Sequence, residues 1–108
     1  MSTTPEYRDY ILDQLSEAEG ITFRPMMGEY VLYVHGRVFG SICDNRFLVK
    51  STPAARERMP DAVQEPPYPG GKPMLLVDNL DNRSFLAGLA AAMEPELPVP
   101  RRRRRTVF

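Results

Sequence analysis

One cysteine and one histidine are all that this chain of 108 residues offers to thiol or imidazole chemistry. A lone Cys43 excludes an intramolecular disulfide, and the reducing cytoplasm is the compartment that fits it. A lone His35 has no cysteine or histidine partner at metal-ligand spacing, so neither a zinc site nor any other cofactor is expected. No apolar run approaches the ~18 residues that a membrane helix needs. The N-terminus shows no basic stretch followed by an apolar one, so no secretory signal is expected. A Gly-rich phosphate loop and a Gly-x-Ser-x-Gly elbow are both missing. Net charge is zero only by cancellation. Residues 1–100 carry nine basic and fourteen acidic groups, a net of −5, and residues 101–105 are five arginines.

What is present is a β-meander between Ile21 and Lys50. Ile21 to Arg24 is β-branched and aromatic, and Gly28 marks a bend after it. Glu29 to Val34 places Tyr30, Leu32 and Val34 on one face and Val31, Tyr33 and His35 on the other. Apolar bodies on both faces predict a central strand. His35-Gly36 and Asp44-Asn45 read as two-residue hairpin turns, because Gly, Asn and Asp accept positive φ. The strand between them, Arg37 to Cys43, is expected to turn Val38, Gly40 and Ile42 to one face. Arg37, Phe39, Ser41 and Cys43 would then lie on the other. Arg46 to Lys50 follows as a short strand, with Arg46, Leu48 and Lys50 sharing a face.

The flanks read as helices. Thr3 or Thr4 caps a helix that opens at Pro5, and Tyr7, Tyr10, Ile11, Gln14, Leu15 and Ala18 fall at helical spacing. That helix is expected to run about four turns to Gly20. Thr52-Pro53 opens a short helix that Pro60 closes. Asp61 to Pro73 is irregular and rich in Pro and Gly, a stiff loop with Tyr68 as its anchor. Met74 to Val77 is a last strand. Asp78 or Asp81 caps a final helix with Phe85, Leu86, Leu89, Ala90 and Met93 as its buried stripe.

Candidates for chemistry are few. Asp44 beside Cys43 disfavours the thiolate, so an inert thiol is expected. The pairs Glu17/Glu19 and Asp78/Asp81 sit at element ends and read as caps or solvated faces. No acid, base and nucleophile are grouped, and an enzyme is not expected. Two sets of cations stand out. Arg24, Arg37, Arg46, Lys50 and Lys72 form a basic rim of the sheet that could attract an anion or an acidic partner, and Arg37, Arg46, Lys50 and Lys72, with Tyr68, are the possible partner surface. The plain alternative is that strand ends carry Lys and Arg to discourage aggregation. Arg101, Arg102, Arg103, Arg104 and Arg105 cannot fold alone and are expected to be solvated. They could contact nucleic-acid phosphates, or merely solubilise. The expected organisation is a folded unit over residues 1–96 and a disordered Pro/Arg-rich tail over 97–108.

The run Arg24-Pro25-Met26-Met27-Gly28-Glu29-Tyr30-Val31-Leu32-Tyr33, followed by His35-Gly36-Arg37-Val38-Phe39, resembles the N-terminal domain of the TfoX/Sxy family. Phe47-Leu48-Val49-Lys50 and Pro66-Pro67-Tyr68-Pro69-Gly70-Gly71-Lys72-Pro73 are similar to its later strand and aromatic loop. Met27 stands where that pattern has Phe, and Glu29 where it has a second Gly. The chain is also expected to lack the second domain of the competence regulators. The resemblance implies an α+β fold of two layers. An antiparallel sheet of about five strands would carry the N- and C-terminal helices, as in secretion-chaperone-like domains. It implies a non-catalytic regulatory or protein-interaction module, linked to competence or transcriptional regulation, with a protein partner. A nucleic-acid-binding protein using the tail is the alternative, and a small-molecule-binding domain under the Pro/Gly loop is a third. A homodimer stays open.

Overall fold

The computed structural model describes residues 3–99. In chain order it contains α1 (Pro5–Gln14), β1 (Ile21–Met26), β2 (Glu29–Val34), β3 (Arg37–Cys43), β4 (Arg46–Val49), α2 (Pro53–Arg58), β5 (Gln64–Glu65), β6 (Met74–Leu76) and α3 (Arg83–Met93). A 3₁₀ turn over Glu94–Glu96 follows α3. The strands form one antiparallel sheet of six in the order β1-β2-β3-β4-β6-β5. The sixth strand is β5, only two residues long and hidden in the Pro/Gly stretch, where periodicity has no room to show.

Three two-residue hairpins join the first four strands. Met27-Gly28, His35-Gly36 and Asp44-Asn45 all take positive φ at both positions, from +50° to +84°. That is the twist of a type I′ turn, which matches the twist of the strands it joins. Register follows from the turns: Met26 faces Glu29, Val34 faces Arg37, and Cys43 faces Arg46. Residues flanking a two-residue turn form a hydrogen-bonded pair, and such pairs recur at every second residue. Pro25 therefore points its nitrogen away from β2, on the open edge of the sheet. Its missing N–H leaves the ladder intact and blunts that edge.

One register shift corrects the expected faces of β3. Tyr33 pairs with Val38 but Leu32 pairs with Gly40, so Phe39 is an extra residue opposite β2. Phe39 points inward at this bulge, and its carbonyl accepts from the Lys50 N–H at 3.0 Å. Phe39 and Ile42 thus both enter the core, while Val38 goes to the opposite face. Strict alternation cannot anticipate this, because a bulge adds one residue and inverts parity beyond it. Gly40 sits at the shift: a Cβ there would lie 2.2 Å from the Leu48 carbonyl oxygen.

The core lies between the sheet and the helices. Leu32, Val34, Phe39, Ile42, Phe47, Val49, Leu75 and Val77 meet Ile11 and Leu15 near α1 and Leu86, Leu89, Ala90 and Met93 of α3. Phe39 and Phe47 pack edge to face at 6.0 Å between ring centres. Leu97 is also buried there. Capping begins each helix. Thr4 Oγ1 accepts from the Tyr7 N–H at 3.2 Å, and Thr52 Oγ1 from the Ala55 N–H at 3.1 Å. α3 is capped by Asn82, whose Oδ1 accepts from the Phe85 N–H at 2.9 Å, rather than by Asp78 or Asp81. α1 is shorter than its apolar spacing implies. After Gln14 the Ser16 and Ala18 N–H groups bond carbonyls three residues back, so the chain tightens and leaves the α-helix. Gly20, with φ +74°, ends that tightened segment. Tyr10 is 39 % exposed and donates to Asp81 at 2.9 Å, so it borders the core rather than filling it.

Two substitutions test this packing by chemical denaturation. Leu15→Ala should destabilise the protein by roughly 2–5 kcal/mol, as for other buried leucines. Gly40→Ala should cost roughly 1–3 kcal/mol or more, because backbone rather than a mobile side chain blocks the new methyl. A loss under about 0.5 kcal/mol in either variant would mean that α1 or the bulge is misplaced.

Candidate functional site

The helices cover one face of the sheet, and the other is where side chains remain available. Strand alternation puts Thr22, Arg24 and Met26 of β1 on this open face, with Val31 and Tyr33 of β2. Val38, Ser41 and Cys43 of β3 join them, then Arg46, Leu48 and Lys50 along β4. The Pro/Gly loop returns over part of this face. Pro67 and Tyr68 line an apolar recess of about 470 Å³ with Met26, Met27, Val31, Ser41 and Cys43. They also line a second recess, of about 580 Å³, with Lys50, Lys72 and Met74. A third, of about 760 Å³, lies toward the His35-Gly36 turn and contains Arg24, Tyr33, Val38 and Lys50.

The sequence-derived partner surface is only partly brought together. Lys50, Tyr68 and Lys72 share one recess. Arg37 lies elsewhere: it faces Val34 and reaches the helical layer, where Nη1 donates to the carbonyls of Glu94 at 2.7 Å and Leu97 at 3.4 Å. It ties the hairpin to the 3₁₀ turn after α3, sharing the Glu94 carbonyl with the Leu97 N–H. His35 works beside it, with Nδ1 3.0 Å from Glu94 Oε1. Arg46 is on the open face but paired with Glu65, and its Nε donates to the Cys43 carbonyl at 3.3 Å. Tyr68 is 64 % exposed, so it does not anchor its loop by burial. The pairing of β5 with β6 does that. The expected contacts of Arg101, Arg102, Arg103, Arg104 and Arg105 lie outside the described residues. Arg24 was expected at the basic rim of the sheet and lies on this face, whereas Tyr33 and Met27 were not singled out for it. Their shared parity across two turns was the available signal.

Cys43 is buried on this face with its Sγ 3.5 Å from Ser41 Oγ. Burial is the main cause that raises its thiol above the ordinary value, and the Ser41 contact opposes it. Among the described residues, no group of three or more His, Cys, Asp or Glu side chains could hold a metal ion. None of the helices described is long and apolar enough to cross a membrane.

Sheet order, bulge and layers define a two-layer α+β module with one sealed and one open sheet face. The chain belongs to the TfoX N-terminal domain family, whose model matches residues 13–92. It is also similar to an uncharacterised 12.7 kDa protein in the trpE 5′ region of Spirochaeta aurantia, with 33 % identity over 105 residues. That match covers 96 % of this chain and 91 % of the relative. No solved structure matches.

The thiol's setting makes a measurable prediction. Alkylation of Cys43 by iodoacetamide at neutral pH should be slow in the native protein and fast once the chain is unfolded in urea. It should accelerate only at pH above the ordinary thiol range. Rapid native labelling at pH 7 would show an accessible, activated thiol instead.

Proposed function

We propose that this chain is a non-catalytic regulatory or protein-interaction module whose working surface is the open face of the sheet. The observation that carries the reading is Met27. It sits in the first position of a type I′ turn at φ +53°, a place that suits Asn, Asp or Gly. A methionine there is strained by sterics. It is also 97 % exposed, so no burial within the fold offsets that strain. Local strain without a folding benefit points to use by something outside the fold. Met26 and Met27 border the apolar recess under Tyr68, and methionine adapts well to varied apolar partners.

The TfoX N-terminal domain family is not a known enzyme family. Membership in it supports the link to competence or transcriptional regulation, and the reading places the protein in the cytoplasm. The partner is a protein that presents an apolar side chain to the recess.

Affinity capture from native cell extract tests the reading with Met27→Asn as the variant. Asn suits the turn, so thermal or urea stability should hold or rise by up to about 1 kcal/mol. Partner capture should fall steeply. Removal of residues 101–108 should leave capture intact. If folded Met27→Asn keeps every partner while the shortened chain loses them, the open face is not the working surface.

A further inference from the structure

Three cations of the open face have no charged partner in the fold. Arg8, Arg46 and Arg83 are each paired with a carboxylate. Arg24, Lys50 and Lys72 make no ion pair among the described residues. Over residues 1–100 carboxylates outnumber cations, fourteen to nine. A shortage of acidic groups therefore does not explain three unpaired cations on one sheet face. Lys50 and Lys72 are also the only lysines in the chain, and both line one recess. No carboxylate lines the neighbouring recess that holds Arg24 and Lys50. The carboxylates that border the other two recesses are engaged within the fold. Glu29 Oε1 accepts from the Thr3 N–H at 3.0 Å, the Thr3 hydroxyl at 2.6 Å and the Asp44 N–H at 3.2 Å. Glu96 Oε1 accepts from the Ala54 N–H at 2.8 Å.

The recesses are continuous. Pro67 and Tyr68 belong both to the apolar recess at Met27 and to the lysine recess. Lys50 and Pro98 belong both to the lysine recess and to the one that holds Arg24. An apolar site and three cations thus lie along one groove. Arg24 is two residues from Met26 on the same face of β1, about 7 Å along the strand. Arg24 and Lys72 share no recess, so a ligand that meets all three cations must extend across the face.

We infer that this groove takes an acidic segment of a partner protein with an apolar anchor. The apolar side chain enters the recess at Met27 and Tyr68, and Asp or Glu side chains meet Arg24, Lys50 and Lys72. The inference rests on the reading of this face as a protein-binding surface and names the chemistry of the partner. Free cations on an otherwise acidic chain select acidic side chains by charge complementarity. A polyphosphate strand fits less well. It carries a charge on every unit, which the net −5 of residues 1–100 repels, and it has no apolar side chain for the Met27 end.

Fluorescence anisotropy on the full chain tests this with a labelled peptide of about 12 residues, in which Glu and Leu are spaced by Ser and Gly. Two control peptides carry Gln for each Glu, or Ser for each Leu. At low salt the Glu peptide should bind about tenfold more tightly than the Gln peptide, since each exposed ion pair contributes up to about fivefold. The preference should fade as salt rises toward about 1 M. The variant Arg24→Gln, Lys50→Gln, Lys72→Gln should lose it, with folding checked by circular dichroism. Arg101–Arg105 stay in every variant, so any attraction of theirs is common to all. Met27→Asn should weaken the Glu and Gln peptides alike and leave the preference between them. The inference is overturned if the Glu peptide does not bind at about 1 mM. It is equally overturned if the Gln peptide binds as tightly, or if the cation variant keeps the preference. Loss of affinity in Met27→Asn alongside equal binding of the Glu and Gln peptides would sink this inference alone and leave the protein-binding reading standing. Unchanged affinity in Met27→Asn would sink both. Equal binding of the Ser peptide, or displacement by oligothymidine at the same charge concentration, would assign the groove to a polyanion instead.

Discussion

Three tight turns hold four strands in one register, and a single extra residue at Phe39 decides which side chains of β3 meet the helices. A slip of one residue in any hairpin would send a whole apolar set to the wrong face. The turns oppose that slip locally. The bulge then brings Phe39 and Ile42 to the same side, where Phe39 packs edge to face with Phe47 and the two aromatic rings fill the centre of the core. Without it, parity counted from the His35-Gly36 turn would keep Phe39 inward but send Ile42 to the open face.

That division gives the two faces different chemistry. The helical face is sealed by apolar packing, and polar groups at its border are spent on the fold. Arg37 and His35 hold the β2–β3 hairpin to the end of α3, and Arg83 joins α1 by donating to Asp13 at 2.6 Å. The open face keeps Arg24, Lys50 and Lys72 without an ion-pair partner among the described residues, beside Tyr33, Tyr68 and two methionines. Pro25 blunts the adjacent sheet edge, so pairing by strand addition is disfavoured there. The proposed recognition therefore rests on side chains of the face, with apolar anchors near Met27.

Much of the architecture was legible because turn chemistry is local. His35-Gly36 and Asp44-Asn45 announced two hairpins, and Thr4 and Thr52 announced two helices. The third hairpin was harder, because Met27 is a poor turn residue and only Gly28 marked it. The parity of β3 was not legible, since a bulge depends on how strands pair rather than on composition. β5 was too short to show a period. The length of α1 was overstated because Leu15 and Ala18 continue its apolar spacing after its backbone has tightened. For the candidate site, parity correctly grouped Lys50 with Arg46, and loop composition pointed to Tyr68 and Lys72. Which cations are free is a matter of tertiary contact: Arg37 is taken by backbone carbonyls and Arg46 by Glu65.

The central claim is that binding belongs to the open face and not to the helical one. Oxidative footprinting of the protein alone and in complex with its captured partner tests this most directly. Met26 and Met27 report on the open face, and Tyr10 reports on the helical layer as an exposed control. The account predicts that complex formation protects Met26 and Met27 while oxidation of Tyr10 is unchanged. Protection of Tyr10 with both methionines still fully oxidised would contradict it.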